Sequence, residues 1–216
     1  MNIQWPLFLL SIGLLLPPPR LSASLRKYLM KPRRDVNPSI HSLLLRWQNW
    51  ADLVRACVGA YLLTELAIQI SPEVKGAAMK GLMIEAVVLG CAVVVQTLRI
   101  GPGFQLIAPV FYLSGITVIL AGYVSGGFAV FAGWLFAVGG AKPAYQLPIM
   151  GVALAVAGYV LGLGLPLILN CGLILLPLLG AFLFRKQLLF VAIDPWANLS
   201  SVSAKKPTAN SLSKSG

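Results

Sequence analysis

The chain has 216 residues, 58% of them hydrophobic and 11% charged, with a mean hydropathy of +0.84. So much apolar surface cannot be hidden in a soluble core, and the apolar runs are continuous, without the alternation of a transmembrane β-barrel. The formal net charge of +11 comes largely from arginines and lysines gathered at the ends of those runs. That is the distribution of cytoplasmic flanks facing anionic lipid headgroups, and no nucleic-acid reading module accompanies it.

The expected fold class is all-α integral membrane, a six-span helical bundle with an N-terminal partial or re-entrant apolar segment and an amphipathic interfacial helix. Four regions are expected: an apolar segment over 1–19, a basic linker with the interfacial helix over 20–50, the bundle over 51–190 and a disordered polar tail over 191–216.

Residues 3–16 form an apolar run closed by Pro17-Pro18-Pro19. It is short for a hydrocarbon core of about 30 Å, so a re-entrant, tilted or interfacial segment is expected. It lacks the positive leader of a cleaved signal peptide, and the basic residues that follow it place the N-terminus outside. Arg20, Arg26, Lys27, Lys31, Arg33, Arg34 and Arg46 then crowd the linker. Asn37-Pro38 signals a helix start, and Ile40, Leu43, Leu44, Trp47 and Trp50 recur at helical spacing, the pattern of an in-plane helix with tryptophans at the interface. His41, the lone histidine, is read there as an interfacial polar residue.

Spans are expected over 53–70, 77–98, 104–124, 128–140, 144–161 and 165–184, the first two forming a hairpin joined near Ser71-Pro72-Glu73. Ser125-Gly126-Gly127 and 162–164 read as tight outer turns. This threading puts Arg99, Lys142, Arg185 and Lys186 inside with the linker and leaves only Glu73 and Lys75 outside, as the positive-inside rule requires. A parallel internal repeat accompanies it. Residues 115–126 and 151–162 share Gly115/Gly151, Ala121-Gly122-Tyr123-Val124/Ala157-Gly158-Tyr159-Val160 and Gly126/Gly162.

Ionisable side chains inside a bilayer are expensive and need a partner or a function. Four are singled out as membrane-embedded: Arg55, Glu65, Lys80 and Glu85. Counted from the hairpin turn, Glu65 and Lys80 reach similar depths and are expected to pair, as a structural bridge or on an ion path. Arg55 has Asp52 one turn away and is expected either to pair with it or to snorkel to the headgroups. Glu85 has no basic residue at its depth and is expected either to be protonated or to hydrogen-bond to Thr64, Ser114, Thr117 or Asn170.

Cys57, Cys91 and Cys171 lie singly in apolar helices without metal or disulfide spacing, although Cys57 and Cys91 are expected at similar depth on neighbouring helices. No H-E-x-x-H, paired aspartate or nucleotide loop is present, and no embedded histidine accompanies Ser125, so no catalytic residue, cofactor or metal site is assigned. Gly-rich faces suit close helix packing. The functional expectation is a non-catalytic accessory or scaffold subunit of an inner-membrane complex, with its linker and tail cytoplasmic. Its partners would be anionic lipid and other membrane subunits or further copies of itself. The alternative is a small transporter or channel for ions or small solutes using Glu85 and the Glu65–Lys80 pair.

Overall fold

Apolar runs leave their backbone N–H and C=O groups no water to bond, and a helix satisfies them within one segment. In a computed structural model of the chain, which describes residues 2–16, 43–69, 76–99, 105–139, 145–162, 164–184 and 188–189, most of the described chain is helical. The helices are α1 (Trp5–Leu15), α2 (Trp47–Tyr61, continued by a π-helical segment Leu62–Ala67), α3 (Ala77–Thr97), α4 (Val110–Leu120), α5 (Gly122–Val138), α6 (Gln146–Val160) and α7 (Leu165–Leu183). Two of them, α3 and α7, are long and apolar enough to cross a membrane. Only 28% and 22% of their apolar windows are buried, whereas a long helix at the core of a soluble domain would be mostly covered.

Two small sheets tie the helix ends. Strand β1 (Asn2–Ile3) pairs antiparallel with β2 (Ile68–Gln69), and Gln4 N–H donates to Ala67 O at 2.9 Å. Strand β4 (Gln105–Ile107) lies between β3 (Leu98–Arg99), antiparallel, and β5 (Leu188–Leu189), parallel. These pairings sort the bundle into two ends. One holds β1, β2 and the α4–α5 and α6–α7 turns; the other, the basic end, holds Arg46, Arg99 and the three-stranded sheet.

Packing departs from the expected hairpin. Helix α1 runs antiparallel to α2 and lies against α2, its π-helical extension and α3, so α2 and α3 share no helix-length interface. Helix α2 packs along α4, α3 along α7, and α5 along α6. The run over 3–16 therefore packs on the bundle by one face, with Ser11 and Leu15 fully buried, while Trp5, Leu9 and Leu10 are exposed on the other. Trp47 and Trp50 belong to α2: the chain breaks at Leu45–Arg46, where Asn49 Nδ2 and Trp50 Nε1 donate to Leu43 O and Leu44 O at 2.7 and 2.8 Å. The linker over 20–42, the 70–75 connection and the tail lie outside the described residues.

The turns differ too. Ser125-Gly126-Gly127 is inside α5; the chain reverses at Ala121–Gly122, where Gly122 takes φ +79°. The second turn is at Gly162, φ +67°, as expected. A left-handed residue is cheap only as glycine. The repeat pairs Gly122 with Gly158 and Gly126 with Gly162, so the two reversals sit four residues out of step and the alignment does not superpose them. Gly126 serves packing instead: a Cβ there would stand 2.5 Å from Thr117 O.

Gly115 has the same role between α2 and α4, where a Cβ would meet Leu53 O at 2.5 Å and Ala56 Cβ at 3.0 Å, while one at Gly172 meets nothing within 4 Å. Gly115→Ala is expected to cost about 1–3 kcal/mol by forcing the helices apart. Gly172→Ala is expected to be neutral or to gain up to about 1 kcal/mol from helix propensity. Thermal unfolding of the purified variants checks the order, and equal midpoints would contradict it.

Candidate functional site

A helix that ends inside a protein leaves carbonyl oxygens that need donors. At the C-terminus of α1 these come from three other helices. Arg55 Nη1 of α2 donates to Leu16 O. Tyr112 Oη of α4 donates to Leu15 O at 3.1 Å, and Gln96 Nε2 of α3 reaches the same oxygen at 3.4 Å. Arg55 also binds Asp52 through Nη2 and through Nε at 3.1 Å, and its guanidinium lies 5.7 Å from the Tyr112 ring centroid. Tyr112 is fully buried and Gln96 nearly so. One arginine thus ties together an acid, a ring and a helix end.

A second polar group sits among α4–α7. Thr117 Oγ1 donates to Asn170 Oδ1 at 3.2 Å, and Asn170 Nδ2 returns a bond to Thr117 O at 3.3 Å. Ser114 Oγ donates to Val110 O at 2.9 Å, receives Trp134 Nε1 at 3.4 Å and lies 3.9 Å from Met150 Sδ. Ser114, Thr117, Met150 and Asn170 are fully buried. Trp134 stacks edge-on with Phe111 at 4.7 Å and lies 5.6 Å from Trp50, joining α2, α4 and α5 near the basic end.

No family model, curated protein or solved structure matches the chain.

Of the four charges singled out from sequence, Arg55 is paired with Asp52, one of the two outcomes expected for it. Glu65 and Lys80 are both exposed and form no ion pair with each other. The depth count that matched them assumed one regular hairpin. Glu65 instead lies in the π-helical segment, where i→i+5 bonding changes the phase of side chains, and α1 displaces α2 from α3. Glu85 is 9% exposed on the inward stripe of α3, with the Glu65 carboxyl within electrostatic reach.

The donors expected for Glu85 are used elsewhere. Thr64 bonds Ala60 O, Ser114 bonds Val110 O, and Thr117 and Asn170 bond each other. Cys57 contacts Gly115 O at 3.4 Å while Cys91 is exposed, so the two thiols are not brought together. Among the described residues no group of three His, Cys, Asp or Glu side chains is placed to hold a metal. Sequence reasoning missed Gln96 and Tyr112. Their signal was there, as polar side chains near the ends of apolar helices.

Tyr112→Phe removes one donor from the end of α1 and is expected to cost about 0.5–1.5 kcal/mol. Arg55→Met strands both Asp52 and Leu16 O and is expected to cost more. Denaturation of the three proteins side by side checks this, and an Arg55→Met protein as stable as wild type would contradict the clamp.

Proposed function

We propose that the chain is a multi-pass inner-membrane protein, crossing with α2–α7 and lined by α1, that serves as a non-catalytic scaffold or accessory subunit of a membrane assembly. One observation carries the reading: the bundle is apolar on its outer faces as well as in its core, and polar side chains of its apolar helices are turned inward. Val87, Phe128, Phe131, Val152, Val156, Ile168 and Leu179 are exposed on four helices, while Ser11, Ser114, Thr117 and Asn170 are fully buried. Water would reverse that pattern, and lipid favours it.

Length supports the same reading. Helix α4 rises only about 17 Å at 1.5 Å per residue, but the extended residues before it, including β4, add roughly 3.3 Å each and reach across a core of about 30 Å. Non-helical backbone is tolerated at such depth when covered by protein. Here Leu106 and Ala108 are buried and β4 is paired on both sides. Helices α5 and α6, at about 25 and 22 Å, suit a locally thinned bilayer. Exposed Tyr123 and Tyr159 mark the outer interface, and the basic end faces the cytoplasm.

A scaffold role follows from a bundle whose polar groups are mostly consumed by its own packing and whose outer faces are broad, apolar and free of charge on α5–α7. The protein is expected to stay with membranes through alkaline carbonate extraction, and in-cell crosslinking is expected to recover a membrane partner or a second copy. Release into the supernatant defeats the membrane reading; a lone monomer in mild detergent without crosslinked partner defeats the scaffold reading.

Glu85 favours a second reading, transport of protons or small cations past Glu85 and Glu65. Vesicle flux that falls in Glu85→Gln would support it, and flux equal to that of empty vesicles would exclude it.

A further inference from the structure

Gln146 opens α6 at the basic end, is 7% exposed, and its Nε2 finds no hydrogen-bond partner among the described residues. It lies over Gly133 of α5, where a Cβ would stand 3.0 Å from Gln146 O and 3.5 Å from Gln146 Cγ. One helical turn along α6, Met150 meets Ser114 of α4. Beyond that, Asn170 Nδ2 uses one of its two N–H groups on Thr117 O.

Buried amide N–H groups in folded proteins are almost always hydrogen-bonded, so Gln146 calls for an acceptor that the described residues do not supply. Helices α4–α7 contain no Asp, Glu, Lys or Arg, so none of them offers the amide an ionic partner. We propose that Gln146 anchors a buried water molecule between α5 and α6, with the Ser114–Met150 contact one turn behind it. A water there accepts from Gln146 Nε2 and spends its own protons on buried oxygens with spare lone pairs, the two to four partners that internal waters take. The site is separate from the α1 clamp and from Glu85, and it stands or falls independently of the scaffold reading.

Hydroxyl radicals generated by X-rays form on bound water inside a protein as well as in bulk, so they test the site directly. In the full-length protein in nanodiscs, Met150, fully buried, is expected to oxidise at a dose that spares Met83, which lies on the outer face of α3 one turn from Val87. Gln146→Leu is expected to abolish the Met150 signal. An unlabelled Met150 in the wild type, or equal labelling in both proteins, overturns the proposal.

The melting temperature gives a second readout. An apolar side chain of similar size stabilises a site whose amide had no partner but destabilises one whose amide held water, so Gln146→Leu is expected to lower the melting temperature, and a rise overturns the proposal. The wild-type labelling alone decides the matter if the variant does not fold.

Discussion

The carbonyl end of α1 is the constraint around which the first half of the bundle is arranged. An apolar helix that stops among other helices must find donors there, and the chain supplies Arg55, Gln96 and Tyr112 from three different helices. Those bonds fix α1 between α2 and α3. They also orient α4 through Tyr112 and set Arg55 against Asp52. At its other end α1 is held by the pairing of Asn2–Ile3 with Ile68–Gln69. A short helix anchored at both ends thus replaces the direct α2–α3 contact that their closeness in sequence would suggest.

The second half of the bundle follows a different rule. Helices α4–α7 carry no charge and cohere through close backbone approach at Gly115, Gly126 and Gly133 and through the Thr117–Asn170 pair. In lipid, apolar surface does not drive helices together, so small residues and buried hydrogen bonds have to. The charged residues of the described helices are all confined to the half that holds α1.

Much of the helical layout was legible because continuous apolar runs have one economical fold. The limits of α3 and α7 were anticipated within a residue or so, and so was the reversal at Gly162. The reversal at Gly122 was not, because glycine serves both for left-handed turns and for helix contact, and Ser125-Gly126-Gly127 offered the denser cluster. Its glycine is spent on the approach to Thr117 O.

The Glu65–Lys80 pairing failed for a similar reason. Depth counting presumes a uniform helical rise and adjacent helices, and the sequence signals neither the π-helical segment nor the intrusion of α1. The interior site at Gln146 was hidden because a glutamine beside a proline loop reads as an ordinary helix start.

The central claim is that the broad apolar faces of this bundle meet lipid. Nitroxide labels on Val87, Phe131, Val152 and Leu175, exposed near the middle of α3, α5, α6 and α7, measure it most directly in reconstituted vesicles. The account predicts strong relaxation by oxygen, which concentrates in the bilayer, and weak relaxation by a water-soluble nickel chelate. Strong relaxation by the chelate at these four positions would contradict it.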